Sequence, residues 1–265
     1  MDMGLQDKVA IITGGSYGIG KAAALSMAKE GARVVLVARR PDVLDQAAQD
    51  IKVASEGIAL PVVGDVIEKD TAARVVKTAV DNFGRVDILV NNAGASMAKN
   101  FEDVSDDDWE FDFDLKVWGA IRFIREAVPE MRKVGGGRII NVTNLGGRTP
   151  GANSMPTSIS RAAGQAITKG LSKDLAKDNI LVSTVCIGLI KSGQTERRLE
   201  VQKVNNPDLT IEDIWAESVR GRGVPLGRMG EDYEAGDVIT FLASERASYL
   251  TGIAVNIDGG SSAVL

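Results

Sequence analysis

Thr13-Gly14-Gly15-Ser16-Tyr17-Gly18-Ile19-Gly20 decides the fold. Residues 8–13 before it form a short apolar, β-branched run that reads as a strand, and the alanine-rich stretch 21–30 after it reads as a helix ending at Gly31. A glycine-rich turn between a strand and a helix lets backbone approach a pyrophosphate, and the amides of the helix start favour its negative charge. Gly14, Ser16, Tyr17, Gly18, Ile19 and Gly20 are therefore candidate cofactor contacts.

Working outward, the same beat recurs. Strands are predicted at 33–38, 58–63, 86–91, 138–143, 181–187 and 254–257, with helices at 42–55, 70–82, 106–131, 158–177 and 234–244. Near-continuous apolar strands alternating with helices mark a parallel sheet covered on both faces. Neither a repeat nor a low-complexity linker divides the 265 residues. The expectation is α/β: a single-domain, Rossmann-like, doubly wound parallel seven-stranded sheet over 1–265. Residues 191–228, irregular and polar around Trp215, are expected to form a substrate lid or insertion.

Composition narrows the function. A net charge of -5 argues against nucleic-acid binding, which needs a concentrated basic face. Without a long apolar run or a signal-like N-terminus, no membrane association is expected, and the protein reads as cytoplasmic. The single Cys186 lies in an apolar run and reads as a buried strand residue. The chain has no histidine, which excludes histidine-based triads, histidine-ligated metals and histidine general bases, and no metal site is expected.

The spacing Thr-Gly-x-x-x-Gly-Ile-Gly, with Asp65-Val66, Asn91-Asn92-Ala93-Gly94 and Asp258-Gly259-Gly260 at later strand ends, resembles the short-chain dehydrogenase/reductase family over residues 8–260. The resemblance implies that Asp65 and Val66 border an adenine and that Asn92, Ala93 and Gly94 line the adjacent ribose. It also places Gly188, Ile190 and Ser192 in the nicotinamide-contacting segment, although isoleucine replaces the usual proline at position 187 and serine the usual threonine at 192. At the end of the second strand, where an acidic residue would bond the ribose of NAD, the chain has Arg39-Arg40. That favours NADP(H) over NAD(H), because guanidinium binds phosphate bidentately.

The departure is in the chemistry. Family members use an asparagine, a serine, a tyrosine and a lysine; alignment of the motifs puts Asp114, Asn144, Thr157 and Arg161 in those places. A threonine hydroxyl titrates far above neutral pH and is a poor general acid, and loss of such a step is worth about 10²–10⁴ in rate. Arg161 keeps the positive charge and is expected to hold the nicotinamide ribose, paired with Asp114. Lys116, two positions from Asp114, is expected to face elsewhere; Lys191 and Glu196, just past the nicotinamide segment, are the better candidates for a substitute acid, against the alternative of a solvated polar loop.

Three functions remain open from sequence. The first is an NADP(H)-dependent oxidoreductase acting on a small carbonyl or hydroxyl compound with altered proton delivery. The second is a non-redox lyase or dehydratase on the same fold, and the third an inactive cofactor-binding homologue. By resemblance, the helices at 106–131 and 158–177 form a dimer face and the last strand a second one, giving a dimer or homotetramer.

Overall fold

A computed structural model describes residues 2–191, 203, 206 and 208–264. Its centre is one seven-stranded, all-parallel sheet built from β1 (Val9–Thr13), β2 (Arg33–Ala38), β3 (Ala59–Val63), β4 (Ile88–Asn91), β5 (Gly137–Asn144), β6 (Ile180–Ile187) and β7 (Ala254–Ile257). The strand order β3-β2-β1-β4-β5-β6-β7 reverses direction between β1 and β4. Ligands of doubly wound sheets bind at this switch point, beyond the carboxyl ends of the strands.

The strands read as continuous apolar runs because both faces are covered. Alternation of side chains sends Ala10 and Ile12 of β1 into one core, with Ala23 and Met27 of α1 (Gly18–Lys29), Leu44 and Ile51 of α2 (Pro41–Ser55) and Ile239. Val9 and Ile11 enter the other, with Val75 of α3 (Thr71–Phe83) and Phe123. Cys186 is fully buried in β6, as its apolar run implied, and burial pushes its thiol up.

The single helix expected over 106–131 is three pieces. Ser105 opens α4 (Asp106–Phe113) with a capping box, its hydroxyl accepting from the Asp108 amide while the Asp108 carboxylate accepts from the Ser105 amide. A π-helical turn, Asp114–Trp118, follows, and α5 (Gly119–Lys133) continues the axis. Such turns insert a residue into the helical register and frequently occur at functional sites.

Three further helices complete the described chain. These are α6 (Thr157–Asp174), α7 (Ile211–Arg222) and α8 (Asp232–Ala243). Of the expected lid, α7 and its flanks are described; Ser192 and Glu196 lie outside the described residues. No described helix is long and apolar enough to cross a membrane.

Candidate active site

The cofactor end is built by lacing β1 to β4. The Thr13 hydroxyl accepts from the backbone amides of Asn92 (3.0 Å) and Ala93 (3.1 Å). The Asn92 side-chain amide donates back to the carbonyls of Thr13 (3.0 Å) and Gly14 (3.2 Å). Asn92 therefore braces the glycine-rich turn as well as standing beside it. A Cβ on Gly20 would lie 2.4 Å from the Gly14 carbonyl oxygen and 2.5 Å from Asn92 Nδ2, so the turn closes only on glycine. Ile19 points into the core of the α1 face, whereas Tyr17 stands exposed beside the turn.

At the adenosine end, Arg39 and Arg40 follow β2 on the surface, with Arg40 preceding the first turn of α2. Arg39 NH1 lies 3.6 Å from Asp65 Oδ2, and Asp65 Oδ1 accepts from the Ile67 amide at 3.2 Å. Val66 turns inward against Gly119, where a Cβ would meet it at 3.2 Å. Of this expected pair, Asp65 is the one that faces Arg39.

At the opposite end, Gly188 packs so closely that a Cβ would lie 2.8 Å from the Asp258 backbone, and Ile190 is buried and bridges to Gly230. Lys191 follows. Its ammonium pairs with Glu231 at 2.5 Å and sits 4.4 Å from the centre of the Trp215 ring, tethering α7 to the end of β6. The cation–π contact and the ion pair fix the Lys191 ammonium between Trp215 and Glu231.

The expected pairing of Asp114 with Arg161 is not made among the described residues. The Asp114 carboxylate bonds Arg122 at 2.9 Å, is half-exposed, and lines a shallow groove with Trp109, Phe113 and Trp118. Residues two apart on a helix lie on opposite faces. Since Asp114 faces outward, the inward place belongs to Lys116.

Lys116 is buried and forms an ion pair with Asp112, one helical turn earlier. Its ammonium also donates to the Thr157 hydroxyl at 3.1 Å. Asp112, fully buried, accepts a second hydrogen bond from the Ser160 hydroxyl at 2.5 Å. Thr157 accepts in addition from the Met97 amide at 2.9 Å. Asn144, at the end of β5, keeps a buried side-chain oxygen with no partner among the described residues.

Arg161, one turn into α6, donates from NH1 to the Val142 carbonyl at 2.7 Å, while its buried Nε has no partner. Gly94 admits this guanidinium, since a Cβ there would lie 2.6 Å from its NH2. Lys116 and Arg161 line one cavity between β5, α6 and the π-helical turn. The two cations of this cavity thus share one neighbouring carboxylate, Asp112.

Electrostatics follow from that count. Burial, then the neighbouring Arg161, pull Lys116 down to about 8, against the opposing hydrogen bond and charge of Asp112. Burial also lowers Arg161 to about 10, so the guanidinium stays charged near neutral pH. The pocket can stabilise a developing oxyanion and holds one group able to exchange a proton near physiological pH.

Sequence reasoning missed Asp112 and Ser160 and turned Lys116 away from the pocket that it enters. An Asp–Lys pair at i, i+4 is visible in the sequence, but such pairs usually sit on solvated faces. Only the packing of α4 against α6 buries this one.

A family model described as short chain dehydrogenase matches residues 8–203. An uncharacterized oxidoreductase of Thermotoga maritima is 35% identical over 262 residues, covering 99% of this chain and 100% of that protein. Among solved structures, L-sorbose reductase from Gluconobacter frateurii, complexed with NADPH and L-sorbose, superimposes with a TM-score of 0.95 at 36% identity, covering 100% of both chains. The NADPH-bound short chain oxidoreductase from Pseudomonas aeruginosa, described as containing an atypical catalytic center, gives 0.91 at 29% identity, covering 99% of each.

Proposed function

The chain belongs to the short-chain dehydrogenase/reductase family, and from that premise we propose that it is an NADP(H)-dependent oxidoreductase acting on a small carbonyl or hydroxyl compound, with proton delivery altered. The observation that carries this reading is the pair of cations, buried Lys116 and partly buried Arg161, kept in one cavity beside an intact dinucleotide cradle. Burying charge is costly, and an abandoned site has no reason to retain two.

The residues fit the cofactor. Gly18 in the glycine-rich turn has φ +53° and faces open space, since a Cβ there would meet nothing within 4 Å, and the unpartnered Arg161 Nε is a donor in want of an acceptor such as a ribose hydroxyl. Bound NADPH would supply the hydride. The protein's part is to orient the carbonyl beside Asn144 and Thr157, to stabilise the forming alkoxide with the charges of Lys116 and Arg161, and to exclude bulk water. Exposed Phe111, Trp118 and Ile159 on α4, the π-helical turn and α6 support self-association through that face.

The test is to titrate NADPH and NADH by fluorescence and then assay carbonyls, beginning with L-sorbose, the ligand of the similar reductase, and 2,3-butanedione. Oxidation of NADPH by at least one of them is the expected result. Binding without oxidation across such compounds would favour the inactive homologue.

Arg39 and Arg40 are assigned the 2'-phosphate. Replacing both by alanine is expected to weaken NADPH about 10- to 100-fold, the value of a charge-assisted hydrogen bond or two, and to leave NADH nearly unchanged. Equal losses for the two cofactors would remove the arginines from cofactor choice.

A further inference from the structure

Resting on the reductase reading above, we propose that Lys116 is the proton donor of this site, passing its proton through the Thr157 hydroxyl to the oxygen of the carbonyl being reduced. Thr157 alone is too weak an acid for the task. A hydroxyl has two acceptor lone pairs and one donor hydrogen. Both acceptor positions on Thr157 are filled, by Lys116 Nζ at 3.1 Å and the Met97 amide at 2.9 Å. Its hydrogen makes no bond among the described residues and is left for a ligand.

The place in the fold suits such a relay. Thr157 is the first residue of α6, where the positive end of the helix favours an oxygen gaining negative charge. Asp112, fixed by Ser160, holds the Lys116 ammonium against Thr157. The titratable and charged groups facing Lys116 are Asp112 from α4 and Arg161 from α6; β5 contributes the uncharged Asn141, Val142 and Thr143 to the shared cavity, and the segment after β4 contributes the Met97 amide to Thr157.

The step balances. A hydride from NADPH forms the new C–H bond at the carbonyl carbon, and the carbonyl π electrons move to oxygen. That oxygen takes the Thr157 hydrogen as Thr157 takes one from Lys116. NADPH is oxidised to NADP+, the carbonyl is reduced to an alcohol, and neutral Lys116 regains its proton from water. An amine donating near pH 8 sets the sign: reduction needs the protonated form, so its rate is level below that pH and falls above it.

The deciding experiment measures NADPH binding and the pH profile of kcat/KM, with L-sorbose and 2,3-butanedione, for wild type, Lys116→Arg, Lys116→Met, Thr157→Ser and Thr157→Val. Arginine keeps the charge and the pairing with Asp112 but cannot release a proton here. All variants are expected to bind NADPH. Lys116→Arg, Lys116→Met and Thr157→Val should lose about 10²- to 10⁴-fold in kcat/KM and the alkaline limb, while Thr157→Ser retains both.

Near-wild-type turnover by Lys116→Arg with the limb unmoved would overturn Lys116 as donor and leave the oxidoreductase reading standing. If Lys116→Met does not fold, the Thr157→Ser and Thr157→Val pair decides, equal activity in the two overturning the relay. Wild type that binds NADPH and oxidises none of it would overturn both readings.

Discussion

Replacing Asp112 by asparagine is expected to lower the unfolding free energy by about 3–5 kcal/mol, the usual cost of removing one partner from a buried ion pair. Asparagine matches aspartate in shape, so the loss reports the charge and not a cavity. Lys116 would be left buried beside Arg161 with no counter-charge. The pH dependence identifies the cause. Lys116 in the folded protein already sits at about 8, below the ordinary 10.5, so the unfolded chain binds the proton more readily and the ammonium's burial penalty fades as pH rises from 8 towards 10.5. Without Asp112 that penalty is larger at neutral pH. The unfolded chain titrates alike in both proteins, so in urea titrations the stability gap should be widest in acid, close as pH rises through about 8, where wild-type Lys116 loses its proton, and stay level above it. A gap below about 1 kcal/mol at pH 7, or one constant with pH, would mean that the pair contributes little.

Gly20→Ala should damage the cofactor end more than any surface change. Helix propensity alone would favour alanine by about 1 kcal/mol. Against that, the new Cβ would lie 2.4 Å from the Gly14 carbonyl oxygen, and a backbone atom cannot rotate away as a flexible side chain can. Overpacking of this kind costs about 1–3 kcal/mol. Moving the turn also breaks the Asn92 bonds to Thr13 and Gly14, so NADPH affinity is expected to fall about 10- to 100-fold. Gly221→Ala in α7, where a Cβ meets nothing within 4 Å, is the control and should be neutral or slightly stabilising. Unchanged NADPH binding in Gly20→Ala would show that the turn tolerates movement and is not the cradle.

The fold was legible because its signals are local. Seven apolar runs and a glycine-rich turn follow from backbone hydrogen bonding and burial on two faces, and the structure places all seven strands in one parallel sheet. The chemical centre was only half legible. Asn144, Thr157 and Arg161 follow from spacing along β5 and α6, which run without interruption. The expected pairing of Asp114 with Arg161 is not made: Asp114 opens a π-helical turn, Asp114–Trp118, that no proline or glycine in the sequence marks. Which of two residues on opposite helical faces enters the pocket is set by the packing of α4 and α5 against α6 and Val66, a tertiary fact. Hence Asp114 pairs with Arg122 outside, and Lys116 reaches Thr157 inside.

In the proposed reaction, hydride reaches a carbonyl in this protein without the family's tyrosine. A single-turnover reaction tests it most directly: enzyme in excess, NADPH deuterated at the transferring C4 position, and L-sorbose or 2,3-butanedione, followed by absorbance and by mass analysis of the alcohol. Loss of NADPH absorbance with deuterium appearing on the new carbinol carbon is the result the account requires. Saturated NADPH binding with neither absorbance loss nor deuterated alcohol would contradict it.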